Sequence, residues 1–293
     1  MGYRSVLKDN LFDERVMLVT GGGSGIGRCT AHELAALGAV VVIAGRTPKK
    51  LESVCEEVRE DGGRAFPVVC DIRDEGQVSD TVQKVLTDHG RIDGLVNNAG
   101  GQFPAPVESI SLKGFETVLR TNLVGGFLLA REVFNRWMGR HGGAMVNITA
   151  DHHGGMPGMA HSGAARAGME NFTRTAAVEW GHAGVRVNAV APGWVASSGL
   201  DSYDDSMKPL IRGLQNAVPL GRLATEAEIS AAICFLLSEG AAFITGTTLR
   251  VDGGASLGGR AWPLQPASRR KPFDGFHRAV EPEVLREDAD SKA

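Results

Sequence analysis

The sequence predicts a single α/β domain built on a doubly wound, parallel, seven-stranded sheet with helices on both faces. Short apolar runs alternate with amphipathic helical stretches from residue 15 to residue 251, which is typical of such sheets. A glycine-rich turn follows the first apolar run and opens directly into the first helical stretch. Because crossovers between parallel strands are right-handed, we expect ligands to bind at the carboxyl ends of the strands.

Each apolar run predicts a strand and each amphipathic stretch predicts a helix. The predicted strands lie at 15–19, 40–44, 65–70, 94–97, 145–149, 186–190 and 248–251. The predicted helices lie at about 25–37, 48–61, 76–89, 115–138, 163–181 and 226–239. Acidic residues within 71–75 and at 226 suit helix N-termini, where the helix dipole stabilises negative charge.

The composition excludes several classes of protein. With 31 basic and 34 acidic residues the net charge is −3, which favours neither nucleic acid nor an anionic membrane as partner. The four cysteines form no C-x-x-C pair, which indicates free thiols in a reducing compartment. No apolar run approaches the roughly 20 residues that span a bilayer, and the start lacks the apolar region of a signal peptide. We therefore expect a cytoplasmic protein that acts on a small molecule.

The predicted domain covers residues 1–255, and two segments depart from its regular alternation. Residues 195–224, the lid segment, are rich in Ser, Asp, Gly and Pro and are expected to cover the site. Residues 256–293 form a polar tail with four prolines. The tail is expected either to be irregular or partly disordered, or to dock on a neighbouring subunit through Trp262, Phe273 and Phe276.

A phosphate-binding turn is predicted directly after the first strand. Residues 20–27 read Thr-Gly-Gly-Gly-Ser-Gly-Ile-Gly. Glycines let the backbone approach a pyrophosphate closely, and the free N–H groups at a helix start stabilise its charge. The turn therefore predicts a Rossmann-like dinucleotide site. Its expected contacts are Thr20, Gly21, Gly23, Ser24, Gly25, Ile26 and Gly27.

Further motifs follow the later strands and the fourth helix in order. They are Cys70-Asp71-Ile72, Asn97-Asn98-Ala99-Gly100, Thr121-Asn122-Leu123, the run from Asn188 to Gly193, and Val251-Asp252-Gly253-Gly254. Together with the glycine-rich turn, they make residues 12–256 resemble the short-chain dehydrogenase/reductase family.

This resemblance implies further site residues and an assembly. It places Asp71 and Ile72 beside the adenine and makes Asn122 the helical active-site asparagine. Cofactor contacts are also implied at Asn98, Ala99, Gly100, Pro192, Gly193, Trp194, Val195 and Ser197. The helical stretches 115–138 and 163–181 pair across subunits in this family, which implies a homotetramer.

The end of the second strand favours NADP over NAD as the cofactor. Enzymes of this layout that use NAD place an acid there for the ribose 2′-hydroxyl, whereas residues 44–47 read Ala-Gly-Arg-Thr. Arg46 would bind a 2′-phosphate through charge-assisted hydrogen bonds. The alternative is that Arg46 only stacks on the adenine, which would leave the selectivity weak.

The acid-base motif of the family is absent. Where the family has Tyr-x-x-x-Lys, this chain reads Ser162-Gly-Ala-Ala-Arg166, and its only tyrosines are Tyr3 and Tyr203. An aliphatic hydroxyl is a far weaker acid than a phenol, and arginine does not readily lose a proton. Reduction of an enoyl thioester needs hydrogen-bond donation to an enolate oxygen, which Ser162 and Asn122 can supply. Arg166 would then hold the nicotinamide ribose, and the proton would come from water or His161.

Residues 161–168, 100–103 and 242–246 narrow the resemblance to peroxisomal trans-2-enoyl-CoA reductase and its bacterial relatives, including proteins like citronellol/citronellal dehydrogenases. The first hypothesis is therefore an NADPH-dependent reductase of trans-2-enoyl thioesters. The second is an alcohol/aldehyde dehydrogenase for acyclic terpenoid or fatty substrates, with Asp151 or a histidine as acid or base. A third is a dinucleotide-binding protein without catalysis.

Asp151, His152 and His153 follow the fifth strand at the substrate edge, where one of them could be the missing acid or base, or all three form a solvated polar loop. We expect no metal here, because adjacent histidines on a loop point apart and no third ligand is suitably spaced.

Overall fold

The chain folds around one parallel sheet of seven strands in the computed structural model, which describes residues 2–257, 264 and 271–286. The strands are β1 (Val16–Thr20), β2 (Val40–Gly45), β3 (Arg64–Val69), β4 (Gly94–Asn97), β5 (Gly143–Ile148), β6 (Val185–Pro192) and β7 (Thr248–Val251). Their order in the sheet is β3-β2-β1-β4-β5-β6-β7, and every neighbouring pair is parallel. The order reverses between β1 and β4, which opens a crevice at their carboxyl ends.

Helices cover both faces of the sheet. They are α1 (Gly25–Ala36), α2 (Pro48–Glu60), α3 (Glu75–His89), α4 (Leu112–Leu119), α5 (Gly125–Val133), α6 (Gly139–His141), α7 (Ala160–Trp180), α8 (Lys208–Gly213) and α9 (Glu226–Leu237). Short π-helical segments, Arg120–Val124 and Phe134–Met138, join α4, α5 and α6 into one continuous rod. Among the described residues, no helix is long and apolar enough to cross a lipid bilayer.

The predicted fold class and all seven predicted strands are confirmed. The largest shifts at strand ends are in β5, which begins two residues earlier than expected, and in β6, which continues two residues further to Pro192. The predicted helix 115–138 is longer and is interrupted by the two π segments. Strands β1 and β4 are buried along their whole length, as expected for apolar strands packed on both faces.

Two apolar layers hold the helices to the sheet. On one face, α1, α2 and α9 pack through residues such as Leu34, Leu51 and Ile229. On the other face, helices that include α3, α5 and α7 pack through residues such as Val82 and Leu129. The carboxyl ends of the strands lie between these two layers and remain open for a ligand.

The described part of the tail packs against its own chain. Phe276 is 1% exposed and lies in a cluster with Cys29 and Ala227, with its ring 5.0 Å from that of His32. Arg278 is ion-paired with Asp61 on the same side. Phe276 therefore fills an apolar pocket formed by α1 and α9 of its own chain, and docking of the tail on a neighbouring subunit stays a prediction. Phe273 packs against the same cluster, and Trp262 lies outside the described residues.

The end of the described tail also contacts the lid segment. Val284 is buried beside Leu200, Ile211 and Leu214. Its backbone N–H donates to Asp201 Oδ1 at 3.0 Å, and its carbonyl oxygen accepts a hydrogen bond of 2.9 Å from Arg212 Nε. The tail thus connects the first helix of the domain to the segment over the site.

Phe276→Ala should lower the free energy of unfolding by about 3 kcal/mol, because it removes a buried ring from a packed pocket. Chemical denaturation of the whole chain measures this. Phe243→Ala is a matched control, since Phe243 is fully exposed and its loss should change stability by less than about 0.5 kcal/mol. Equal effects of the two changes would contradict the packing described here.

Candidate active site

Thr20 and Asn98 join the ends of β1 and β4. Thr20 Oγ1 donates to the carbonyl oxygen of Val96 at 3.2 Å and accepts from the backbone N–H groups of Asn98 and Ala99, both at 3.0 Å. The Asn98 side chain donates back to the Thr20 carbonyl at 2.9 Å. These bonds use the polar atoms of Thr20 internally, so Thr20 shapes the turn rather than lining the cleft.

The glycines of the turn are required by close backbone contacts. Gly21 has φ +66° and Gly25 has φ +55°, in the left-handed region that favours glycine. A Cβ on Gly27 would lie 2.4 Å from the Gly21 carbonyl oxygen. The start of α1 is therefore pressed against the turn, with its free N–H groups directed to the crevice, which suits a phosphate group.

A cleft of about 320 Å³ lies over the carboxyl ends of β1 to β4, and its size is in the range of small-molecule sites. Eleven of the predicted cofactor residues line it, which are Gly21, Gly23, Ser24, Ile26, Arg46, Asp71, Ile72, Asn98, Ala99, Gly100 and Ser197. Predicted contacts outside its lining are Thr20, Gly25, Gly27, Arg166, Pro192, Gly193, Trp194 and Val195. Of these, Trp194 lines a separate cavity of about 190 Å³.

One end of the cleft is cationic. Arg46, Lys50 and Arg73 line it together, although only Arg46 was expected from the sequence. The Arg73 guanidinium also donates three hydrogen bonds to the Asp71 carboxylate, and this contact lowers the pKa of Asp71. Lys50 lies in the first turn of α2 whereas Arg46 precedes that helix, so no helical spacing relates the two in the sequence.

Arg166 places a fixed positive charge behind the loop that follows β4. Its Nη1 donates to the Ile148 carbonyl oxygen at 2.6 Å, and a Cβ on Gly100 would lie 2.7 Å from its Nη2. Burial lowers the pKa of Arg166 to about 10, so the group stays charged at neutral pH. No carboxylate among the described residues pairs with it, and its Nε is a buried donor without a partner. An unpaired buried cation favours an anionic or hydroxyl-bearing ligand nearby.

Asn122 fixes the same loop. It lies in the first π-helical segment, where its Oδ1 accepts from the Gly101 backbone N–H at 2.8 Å and its Nδ2 donates to the Gly101 carbonyl at 2.9 Å. One of the two side-chain N–H groups of Asn122 is therefore already engaged, which leaves the other for its predicted role as a hydrogen-bond donor. Its observed contacts hold Gly101 and Gln102 against α7.

Ser162 is covered rather than open to the cleft. The residue is fully buried, and its Oγ donates to Gln102 Oε1 at 2.7 Å. On the other side of the same amide, Gln102 Nε2 donates to the Tyr203 hydroxyl at 3.0 Å. No spacing in the sequence relates residues 102, 162 and 203, which explains why these contacts were missed.

His161 is shielded as well. It is fully buried, and its Nδ1 accepts from the Ser162 backbone N–H at 2.8 Å. The ring meets Phe103 edge to face with 4.4 Å between centroids, and Nε2 has no hydrogen-bond partner among the described residues. In this arrangement protein side chains cover the imidazole, and the role of His161 as a proton donor to substrate stays a prediction.

His152 and His153 do not point apart, which corrects the reason given for expecting no metal. Their rings stack with 4.6 Å between centroids and 12° between planes, and Nε2 of His152 lies 2.7 Å from Glu170 Oε2. Glu170 is a buried residue of α7 that the sequence did not single out, and it also pairs with Arg174. The ligand atoms of His152, His153 and Glu170 lie within 4.8 Å of one another, so Glu170 supplies the third group that the sequence did not show, and the absence of a metal stays a prediction.

Asp151 sits in the same loop with Oδ1 buried and without a hydrogen-bond partner among the described residues. Among the described residues, no hydrogen bond joins Asp151 to Ser162, Gln102 or Tyr203.

Comparison with known protein families gives one match that spans most of the chain. Residues 21–256 match the family described as enoyl-(acyl carrier protein) reductase. The match begins within the glycine-rich turn and ends just beyond β7.

Curated relatives and solved structures extend this match. The chain is 36% identical to a peroxisomal 2,4-dienoyl-CoA reductase of Danio rerio, over 87% of this chain and 86% of the relative. It is also 36% identical to a probable 2,4-dienoyl-CoA reductase of Bacillus subtilis, over 84% of this chain and 98% of the relative. A citronellol catabolism dehydrogenase of Pseudomonas aeruginosa PAO1 is 60% identical in sequence, with a TM-score of 0.79, covering 87% of this chain and all of that structure.

Glu226 begins α9 close to the glycine-rich turn, where burial raises its pKa to about 7. A Cβ on Gly25 would lie 3.8 Å from Glu226 Oε1. Because the folded-state pKa lies above the unfolded value of 4.5, the neutral carboxyl stabilises the fold fully below pH 4.5. This stabilisation is lost as the pH rises through 7.

In the unaltered chain, the free energy of unfolding should therefore fall by about 2 kcal/mol between pH 5 and pH 8, at about 1.4 kcal/mol per pKa unit. Glu226→Gln should remove this fall. Denaturant titrations at both pH values measure it. Glu52→Gln, which changes an exposed carboxyl of α2, should leave the pH dependence as in the unaltered chain. A parallel pH dependence in Glu226→Gln would show that this carboxyl is ionised normally.

Proposed function

Since the chain belongs to the short-chain dehydrogenase/reductase family, whose members bind nicotinamide dinucleotides, we propose that it is an NADPH-dependent reductase of the carbon–carbon double bond of trans-2-enoyl thioesters. The bound dinucleotide would supply the hydride to the β-carbon. The protein then has to hold the thioester so that the negative charge on its oxygen is stabilised as an enolate.

The observation that carries this proposal is the chemistry of the α7 start. The hydroxyl of Ser162 and the guanidinium of Arg166 donate hydrogen bonds, and neither exchanges protons readily at neutral pH. Carbonyl reduction needs a strong proton donor at the oxygen, whereas an enolate needs hydrogen bonds there and a proton later at carbon. The donor set therefore fits the double-bond reaction better.

The cationic end of the cleft supports NADP as the cofactor. Arg46, Lys50 and Arg73 surround the position beyond β2 where the ribose 2′-group of a dinucleotide would lie, while Asp71 is occupied by Arg73. Three cations would bind a 2′-phosphate strongly, and NAD offers them only a hydroxyl. At the other end, Arg166 would hold the hydroxyls of the nicotinamide ribose.

The relatives support the substrate class in part and also supply the second candidate. The two relatives at 36% identity are named as reductases that act on dienoyl-CoA and produce enoyl-CoA. The structure at 60% identity belongs to citronellol catabolism. An alcohol or aldehyde dehydrogenase for acyclic terpenoids is therefore the second candidate, and dinucleotide binding without catalysis is the third.

We also propose that the lid segment closes over the substrate and that the chain forms a homotetramer in the cytoplasm. The helices expected to pair between subunits carry large exposed apolar side chains, with Phe127 at 38% and Val178 at 82% exposure. Such groups on adjacent helices favour burial against another copy of the chain.

Arg46→Ala should weaken NADPH binding by about 100-fold and NADH binding by less than about 3-fold, since only the 2′-phosphate loses a charged partner. Fluorescence titration of the reduced cofactors measures both. Lys49→Ala removes an exposed cation of α2 that does not line the cleft, and it should change neither affinity. Equal weakening of both cofactors would assign Arg46 to the adenine instead.

The substrate class is tested by following NADPH oxidation with crotonyl-CoA and longer trans-2-enoyl-CoA esters beside citronellal and straight-chain aldehydes. We expect turnover of the enoyl esters, and a loss of about 100-fold in Ser162→Ala through weaker enolate stabilisation. Thr175→Ala, an exposed hydroxyl on the same helix, is the control. Turnover of the aldehydes alone would favour the second candidate, and cofactor binding without any turnover the third.

A further inference from the structure

The hydrogen-bonded chain Ser162, Gln102 and Tyr203 runs from the buried helix α7 to the lid segment. Ser162 is fully buried, Gln102 is exposed and Tyr203 is partly exposed. A substrate entering from solvent therefore meets the amide of Gln102 and the phenol of Tyr203 before it meets the serine. Of the three hydrogen-bonded residues, Gln102 and Tyr203, toward the lid segment, are therefore the accessible ones.

Tyr203 is one of only two phenols in the sequence, and the other is engaged elsewhere. Tyr3 donates to Glu33 Oε2 at 3.1 Å beside α1, and burial raises its pKa. The Tyr203 hydroxyl instead accepts from Gln102 Nε2 at 3.0 Å, which leaves its own proton available for donation. The lid segment thus supplies a phenol near Ser162, at the start of α7, where the family's tyrosine is missing.

The Gln102 amide lies between two hydroxyl groups, and this allows two hydrogen-bond directions. In the arrangement described, Ser162 Oγ donates to Oε1 and Nε2 donates to Tyr203. Because hydroxyls both donate and accept, turning the amide by 180° preserves both contacts and reverses both bonds. Ser162 then accepts from Nε2 and its O–H is free to donate to another acceptor, while Tyr203 donates to Oε1. Gln102 therefore links the orientation of one hydroxyl to that of the other.

The ring of Tyr203 is held in place by packing. It lies against the cluster of Leu200, Ile211, Leu214 and Val284, which is where the tail meets the lid segment. The hydrogen bonds of Val284 to Asp201 and Arg212 fasten this cluster. The tail therefore helps to position the phenol through Val284.

We propose that Tyr203 is the proton donor of the reduction and that Gln102 is the positioning residue that aligns it with Ser162. This inference rests on the proposed function for its substrate. Hydride addition at the β-carbon moves the electron pair of the double bond to the α-carbon and thioester oxygen. The Tyr203 O–H bond then breaks as a C–H bond forms at the α-carbon, and the phenolate takes a proton from water. The carbon–carbon double bond is thereby reduced to a single bond, the thioester group stays intact, and NADPH is oxidised to NADP⁺.

The test compares Tyr203→Phe with Tyr3→Phe, which removes the other phenolic oxygen of the chain. Tyr203→Phe keeps the ring in its apolar cluster, so the midpoint of thermal unfolding and the calorimetric affinity for the acyl-CoA product should not change. We expect kcat to fall about 100-fold or more, which is the usual contribution of a general acid, and KM to stay within about 3-fold of the value for the unaltered protein. Tyr3→Phe should keep the full kcat. An unchanged kcat in Tyr203→Phe, or a rise in KM alone, overturns the proposal and leaves Tyr203 as a lid anchor.

Gln102→Met tests the positioning role, because methionine has a similar length and removes both hydrogen bonds. If Gln102 acts through Tyr203, the single change should lower kcat, and the double variant Gln102→Met/Tyr203→Phe should fall no further than Tyr203→Phe. Losses that multiply would show that Gln102 acts independently of the phenol.

The two proposals fail in different ways. If the unaltered protein reduces aldehydes only, the proposed substrate class is wrong, and Tyr203→Phe is then measured with that aldehyde, whose alkoxide also needs a proton. If it reduces enoyl esters and Tyr203→Phe is fully active, only the role of Tyr203 is wrong. An unaltered protein that oxidises NADPH with neither panel overturns both.

Discussion

The junction between β1 and β4 is the constraint on which the rest of the site depends. Thr20 and Asn98 exchange hydrogen bonds at the point where the strand order reverses, and this holds the glycine-rich turn to the loop after β4. The same loop continues to Gly101, which Asn122 fixes from the opposite face of the sheet. Because the phosphate turn and the α7 side of the site share this loop, a displacement of one moves the other.

Fixed charge and fixed hydrogen bonds dominate the site. Arg46 lines one end of the crevice, and Arg166, which remains cationic at neutral pH, lies behind Gly100. His161 is buried beneath Phe103. Under the proposed function, these groups would bind and orient a charged cofactor and supply hydrogen bonds to a developing oxyanion.

A few side chains of the tail pack against the domain in two places. Phe276 fills a pocket against α1, and Val284 packs eight residues later against the lid segment. A segment with this polar composition has little apolar surface of its own, so its order depends on a few anchoring side chains. Those anchors connect the helix that begins at the phosphate turn to the segment that carries Tyr203. The tail therefore contacts both the helix that begins at the glycine-rich turn and the lid segment.

The sequence by itself determined the fold and the phosphate turn, because both follow from local patterns. Strand and helix periodicity located all seven strands, and the glycines at 21, 25 and 27 indicated backbone contacts that no larger residue allows. It also located Arg46 and Asp71, since these follow strand ends directly. The sequence did not indicate Gln102, Tyr203 or Glu170 as site residues, because Ser162, Gln102 and His152, with which they are paired, are far away along the chain. It also could not show that Ser162 and His161 are covered or that Phe276 packs on its own chain. Burial and hydrogen bonding between distant segments arise only when the chain is folded, and only the tertiary structure decides them.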